Sequence, residues 1–570
     1  MGEAVAPLKV PMFRVLWLAQ MFSSLGTFLQ AVAGSWLMLE LTGSATWVGL
    51  MVASNLLPTL FLAVLAGAMA DLVDRTKVMV AAQALSGLAA AAMAIVTATG
   101  HITPAILLSL GLVLGVGVAF NLPASQSLIP DLVPRGMVAS AVALNSVAFN
   151  VARAIGPAIG GLILATLGAQ VAFGLNAMSY GAVVITIAFV GRRIEVASDR
   201  ETQSITESMA LGLRFARFTL PFRRVLLVAG LFAICSAVIQ AVLPNRTAEL
   251  GGEEWTYGLL LGSMGLGALV GAFTRPRFVG RLGTRAIPVS MTVFGLSGVL
   301  LGVAPSVPVA AVALIVIGAC WVWALTTLNA TAQLMAPPWV RGRAMSLYSL
   351  AFAGIVPIGS TLSGVVADAI GAGGANVVFS VGAVVLGFAV PRFAIPALAD
   401  VESPEFEEHS NAPAHADTEG GPVLVSSTWH VDPRQVDDFR IAMQDVRLVR
   451  LRTGAYRWRL YRNANDPYRL TEVFLCVSWE SHLAMHRRID DASRAIIRRA
   501  IAFDTTGGPM TRHLVAVDMD RPADWDELIA SHRELHGADG SIPLDPDAAP
   551  HPEGDIGGTP DSLARRPERD

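Results

Sequence analysis

The sequence predicts an all-α polytopic membrane protein of twelve transmembrane helices in two six-helix halves, followed by a small α+β soluble domain. Three observations carry this reading. First, 53% of the 570 residues are hydrophobic and 15% charged, against roughly 45–50% and about 25% in soluble domains, and the mean hydropathy is +0.56. Second, charge-free runs such as Thr46–Ala70 and Val78–Gly100 reach the ~20 apolar residues that cross a bilayer. Third, Asp and Glu are sparse over residues 1–400 and frequent, with both signs of charge, over 401–570. The formal net charge of −3 gives no electrostatic footprint for nucleic acid, so none is expected as a partner. Cys235, Cys320 and Cys476 are far apart and form no CxxC pair. Neither a disulfide framework nor a metal site is expected, and no cofactor.

The spans follow from the apolar runs. The first half, residues 10–190, holds Val15–Leu39, Thr46–Ala70, Val78–Ala98, Pro104–Ile129, Val138–Leu167 and Val171–Val190. Met1–Phe13 shows no small-residue cleavage site, so the first span is expected to stay in the mature chain as its targeting signal. A polar connector occupies residues 191–224. The second half, residues 225–398, holds Val225–Leu243, Tyr257–Thr274, Ala286–Val303, Val309–Leu334, Ala344–Ile370 and Asn376–Ala397. Lys and Arg fall in alternate loops: Arg75 and Lys77, Arg135, the connector, Arg275–Arg285, and Arg341 with Arg343. Only Arg246 stands on the other side. The positive-inside rule then places the even-numbered loops and both termini in the cytoplasm. Asn121–Ser140 and Asn329–Ser346 share the order Asn, Gln, Pro, Arg-Gly, the sign of a repeat with a midplane site between halves. Inside the connector, Ser204-x-x-Glu207 fits a capping box. Met209, Leu211, Leu213, Phe215, Ala216 and Phe218 make a wide apolar stripe, read as a short helix lying on the membrane surface.

Polar groups inside spans mark the candidate cargo cavity. Arg153 sits mid-span, where a charge costs at least ~2.5 kcal/mol and calls for a polar cavity or a partner. Span 1 carries Gln20, Thr27 and Gln30 on one side; Asn55, Asn150, Asn176, Gln240, Trp321 and Trp323 complete the set. Such a mix of apolar and aromatic walls with few polar anchors suits an amphipathic molecule better than a sugar. Each polar residue serves equally well as glue between helices. No Asp or Glu lies in the middle of a span; Glu40, Asp71 and Asp368 are at margins.

The loop Gly67–Lys77, GAMADLVDRTK, lies between two charge-free runs. Its Gly67, Asp71, Arg75 and Lys77 resemble the signature loop after the second helix of the major facilitator superfamily, with Asp74 where that family has glycine. The second half has Gly271 and arginines at the equivalent place but no Asp. Arg153 followed by Gly156-Pro157-x-x-Gly160-Gly161 resembles the antiporter motif of drug exporters in the same superfamily. Phe13–Leu50, IPDLVPRG around Asp131, and Arg341–Gly364 extend the likeness over about residues 10–515. Together they resemble bacterial exporters related to the enterobactin exporter, in the group called transmembrane secretion effectors. The resemblance implies rocker-switch export of a small amphipathic molecule (a drug, antibiotic or siderophore) across the bacterial cytoplasmic membrane, with proton antiport. It also implies that Asp71 caps the eleventh span near Arg343 and Ala344, and that Arg75 pairs with Asp131. An importer of the same superfamily, a non-transporting sensor and an enzyme acting through the C-terminal domain stay open as alternatives.

Residues 399–421 read as a linker and 519–570 as a disordered tail rich in Pro, Gly and Asp. Between them, residues 422–518 alternate as strand, helix (Pro433–Leu451), two strands around Asn465-Asp466-Pro467, helix (Ser481–Phe503) and strand. That order is ferredoxin-like. It resembles dimeric α/β-barrel domains related to antibiotic-biosynthesis monooxygenases, which implies a homodimer through this domain. Trp429, Trp479, His482 and His486 are its candidate pocket. The two histidines have the i, i+4 spacing of metal ligands but lack an intervening Glu, so exposed helix histidines are expected.

Overall fold

The computed structural model describes residues 5–72, 75–190, 205–337, 339–393, 395 and 422–516. It divides into a helical bundle (Met1–Ile205, Pro221–Ala336, Gly342–Glu402) and a second unit (Thr206–Leu220, Pro337–Arg341, Ser403–Asp570). In chain order the helices are α1 (Pro11–Thr42), α2 (Ala45–Leu72), α3 (Arg75–Ala98), α4 (Pro104–Leu132), α5 (Val138–Leu167), α6 (Ala169–Val190) and α7 (Ile205–Phe218). They continue as α8 (Leu220–Glu249), α9 (Glu254–Leu282), α10 (Ala286–Val303), α11 (Val307–Met335), α12 (Arg341–Ala353) and α13 (Val356–Ala389). Among the described residues ten stretches are long and apolar enough to cross a membrane, and two of them, Glu254–Val303 and Arg341–Phe393, run 50 and 53 residues.

Local chemistry sets the breaks. Gly43 adopts φ +65°, and its amide donates to Leu39 O, closing α1 and letting the chain turn into α2. Thr103 accepts from the Ile106 amide and Pro104 opens α4. Gly371 at φ +82° turns the chain inside α13. The run expected as one helix over 344–370 is instead broken between α12 and α13. Pro357 has no N–H to donate to Ala353, and its ring crowds that carbonyl. Several helices outrun the apolar runs that predict them; α8 begins five residues before Val225 and ends at Glu249, because hydropathy marks lipid and not the end of backbone hydrogen bonding.

The bundle wears its large apolar side chains outside. Phe273 is 80% exposed, with Phe61, Leu88, Phe189 and Phe388 close behind, which suits a lipid solvent and not water. Its halves meet along two antiparallel seams of small residues. In the first, α5 lies on α9: a Cβ on Gly161 would stand 2.5 Å from Gly258 Cα, and one on Gly265 would stand 2.5 Å from Ala154 Cα. In the second, α2 lies on α13: a Cβ on Gly49 would meet Ser360 O at 2.4 Å and one on Gly364 would meet Ala45 O at 2.5 Å. Only glycine permits backbones this close.

The second unit carries β1 (Val423–His430), α14 (Val436–Thr453), β2 (Arg457–Arg462), β3 (Arg469–Cys476), α15 (Trp479–Arg487), α16 (Asp491–Ile501) and β4 (Met510–Val515). The sheet order is β2-β3-β1-β4, with every neighbouring pair antiparallel. The helix expected over 481–503 is two helices, since Asp490 accepts from the Ser493 amide and starts α16 afresh. Trp429, Phe439, Met443 and Val446 pack one core of this unit; Val425, Phe474, Trp479 and Met485 pack another. The connector helix α7 belongs here as well. Leu211, Phe215 and Ala216 are buried, Phe215 stands edge-on to Trp339 at 6.0 Å, and Arg214 donates to Gly454 O at 3.1 Å. The stripe expected on a membrane surface is therefore covered in part by protein, while Leu213 stays 61% exposed. Ser204, the connector over 191–204, the linker over 399–421 and the tail over 519–570 lie outside the described residues.

Candidate functional site

The charged residue in the middle of a span finds its partner on the other half of the bundle. The Arg153 guanidinium lies over the Trp321 ring, 3.8 Å from its centroid, joining α5 to α11. Trp321 meets Phe352 edge-on at 6.3 Å, and Phe149, one turn before Arg153, packs on Phe28 at 5.6 Å. Arg153 is only half-buried, as are Trp321, Phe28 and Phe352. Among the described residues no carboxylate lies within ion-pair distance of Arg153. Gly156 and Gly160 face Phe28 and Leu29 of α1, and Gly161 faces α9; with buried Pro157, the Gly-Pro motif works as a packing surface.

The other cavity candidates divide. Thr27 donates to Ser23 O at 2.9 Å and lies 3.3 Å from the Tyr180 hydroxyl. Asn176 donates to the Gln30 side chain, which donates to Met93 Sδ; both are buried and join α1 to α6. Trp323 stacks on Phe278 at 3.9 Å and donates to Gly271 O at 2.9 Å, pinning α11 to α9. Asn55 donates to Met51 O within its own helix. Gln20 is half-buried and Gln240 exposed. The structure thus gathers Arg153 and Trp321, and spends Gln30, Asn176 and Trp323 on holding helices together.

At one end of the bundle charged side chains cap helices and tie them together. Asp368 of α13 accepts from the Ser44 hydroxyl at 2.7 Å and from the Ala45 and Thr46 amides at 2.7 and 3.1 Å. It thereby satisfies the orphan donors of α2 and sits at the positive end of its dipole. Beside it, Glu249 accepts from the Ala372 and Gly373 amides at 2.6 and 3.0 Å. Arg246 pairs with Glu249 at 2.9 Å and donates to Leu301 O and Ala304 O. The role of Asp368 was missed in the sequence; its only signal was an acid at the margin of a span. At the opposite end of α2, Asp71 lies in the last turn, with Gly67 four residues earlier; Arg75 begins α3, and Asp131 is in the last turn of α4. Their side chains and that of Asn150 lie outside the described residues, as does Asp74. Lys77 is exposed.

In the second unit His482 is buried, against the expectation of exposed histidines. Its Nε2 is 3.2 Å from His486 Nε2, and its ring is 4.8 Å from that of His513. Burial first, then His486, His513 and Arg450, push its pKa down to about 2. Trp429 is in the core beside Phe439, away from this group. Glu472, fully buried, pairs with Arg450 at 3.4 Å and accepts from Trp458 Nε1 at 2.8 Å.

A lipid-facing bundle whose halves meet along two antiparallel seams, with a mid-span cation set between the halves, is that of a membrane transporter of the major facilitator superfamily, the class to which the family match assigns the chain. Solved structures agree on the fold. A bacterial homolog of the human lysosomal transporter Spinster superposes with a TM-score of 0.57 at 15% identity, covering 70% of this chain and 99% of that one. A D-xylose-proton symporter gives 0.55 at 15%, covering 68% and 99%. The model of the family described as transmembrane secretion effector matches residues 2–522, and the chain belongs to that family. It is 26% identical over 373 residues to the multidrug efflux pump Tap of Mycolicibacterium fortuitum, covering 63% of this chain and 90% of the pump. The staphyloferrin A transporter of Staphylococcus aureus is 24% identical, covering 61% and 87%. The enterobactin exporter EntS of Escherichia coli is 26% identical, covering 50% and 70%. The chain is therefore a secondary transporter of an exporting family and not an enzyme, which removes the enzymatic alternative.

Proposed function

We propose that the protein exports a small amphipathic molecule, of the drug, antibiotic or siderophore type, across the bacterial cytoplasmic membrane by alternating access. The family match over residues 2–522 carries this reading, and the relatives that pump drugs or move siderophores support it. In this reading the 50- and 53-residue stretches each double back, since ~20 residues span a bilayer, giving twelve spans in two halves. The positive-inside charges put both termini and the Asp71 loop in the cytoplasm, and Asp368 then closes the outer side. Asp71 at the far end of α2 is the reciprocal latch, capping α12 when the inner side closes. Arg75 pairs with Asp131 beside it. Outward export against a gradient is driven by proton antiport.

The β-α-β-β-α-α-β order, with its second crossover split into two helices, and the sheet order β2-β3-β1-β4 support a ferredoxin-like domain at residues 422–518. Strand register puts Leu424, Val473, Leu475 and Leu514 on one face of the sheet, a surface suited to pairing with a second copy. Inside-out vesicles test the central reading. Uptake of dyes or siderophores that collapses with the proton gradient is expected; uptake equal to that of vesicles lacking the protein contradicts it.

A further inference from the structure

The geometry points to Arg153 and Trp321 as a binding site for the anionic group of the cargo, which makes the cargo an amphipathic anion; this rests on the export reading. A charge in the middle of a span is costly unless a partner or a polar cavity receives it. The cation–π contact with the ring at 3.8 Å offsets part of that cost. That contact covers one face of the guanidinium. Its N–H donors lie in the guanidinium plane, where a ring against the face accepts nothing, and they make no hydrogen bond among the described residues. The described residues offer them no anion either. The described acids of the bundle are Glu40, Glu249, Glu253 and Glu254, at helix ends, and Asp368, just before the turn at Gly371 inside α13, and the last two turns of α2 and α4 hold Asp71 and Asp131.

A planar fork of donors recognises a carboxylate, sulfonate or catecholate by paired charge-assisted hydrogen bonds. The surroundings specify the rest of the molecule. Phe149, one turn before Arg153, packs on Phe28 of α1, and Phe352 of α12 packs edge-on to Trp321, so aromatic groups from both halves flank the pair. An apolar or aromatic body therefore packs beside an anionic group held by Arg153. A cationic amphiphile meets repulsion at this point. Trp321 holds the guanidinium in place when no cargo is bound, and the anion joins it at the donor edge.

The test uses the full chain reconstituted in pure phosphatidylcholine, with three naphthalene or phenanthridine dyes. These are anionic anilinonaphthalene sulfonate, neutral N-phenylnaphthylamine and cationic ethidium. The expected result is tighter binding of the anionic dye than of the neutral one. Arg153→Gln should weaken the anionic dye at least tenfold and the neutral dye less than twofold. Arg153→Lys should keep the charge but lose the fork, giving an intermediate loss. Retained binding of the neutral dye reports that the variant is folded. Equal losses for anionic and neutral dyes, or preference for ethidium, would overturn the assignment. Adding phosphatidylglycerol should change binding of the anionic dye less than twofold; full competition would give the site to a lipid headgroup and overturn the cargo assignment. Gradient-driven uptake separates the two readings. Arg153-dependent anion binding without any uptake defeats export and leaves the site standing, whereas uptake indifferent to Arg153 and to cargo charge defeats the site and leaves export standing.

Discussion

At the scale of single residues, the decisive acids and bases are those that cap a helix at the bundle end or pair inside the core of the second unit. Asp368 supports three hydrogen bonds into the start of α2. Asp368→Asn removes the charge–dipole term of about 0.3–1 kcal/mol and one or more bonds of about 0.5–1.5 kcal/mol each. The closed end should then open more often, read as faster labelling of a cysteine at Ser44; unchanged labelling would reduce Asp368 to a surface acid. In the second unit, Glu472→Ala strands Arg450 in the core, a loss of about 3–5 kcal/mol, so the unit should be cut by trypsin under conditions where the parent resists. Trp458→Phe, which removes one donor, should cost much less. His482 sets a pH window. It is neutral in the fold, with its pKa pushed down to about 2 by burial and cationic neighbours, and ordinary when unfolded, near 6.5. The unfolded chain therefore binds the extra proton, so stability is full above about pH 6.5 and falls below it, by at most about 1.4 kcal/mol per pH unit. The proteolysis midpoint should drop between pH 7.5 and 5.5, and His482→Leu should flatten that drop. Little of this was legible beforehand. Gln30 and Asn176 look like cavity residues because the sequence shows a polar group in a span but not that its partner is 146 positions away. Arg153 was legible as a charge in need of a partner, and Trp321 as a residue of the cavity, but their pairing is a matter of tertiary structure.

At the scale of elements, apolar runs located the helices well and their ends poorly. Lipid selects for roughly 20 apolar residues, while the helices run on until a glycine at positive φ or a proline breaks them, as at Gly43 and Pro357. The seams were half legible: Gly160-Gly161 announced close packing, but not that Gly258 lay opposite. Gly258→Leu would force apart backbones now in contact, at about 1–3 kcal/mol or more. Insertion should persist, because the span grows more apolar, while transport should fall at least tenfold; parental transport would show that the seam is not needed. The connector helix taught the opposite lesson. Its amphipathic stripe was plain, but amphipathicity does not say whether lipid or protein covers the apolar face. Phe215 and Trp339 show protein on part of it. Trp339→Ala should therefore loosen α7 and make the chain after Arg214 easier for trypsin to cut, and equal resistance would argue against that packing.

At the scale of the whole molecule, the fold class was readable because a bilayer imposes length, composition and charge asymmetry together. The direction of movement and the cargo were not, because they depend on which end opens and on contacts that no periodicity encodes. The account joins two seams, a latch at one end and a cation between the halves into a single device that opens one end at a time. Its central claim is that the halves move against each other about the seams. Spin labels on cysteines at Leu41 and Ile370, both exposed at the Asp368 end, with the native cysteines replaced, measure this directly. The account predicts a short distance in the parent and a second, longer distance that gains population in Asp368→Asn and changes with the proton gradient. One unchanged distance in every condition would contradict alternating access.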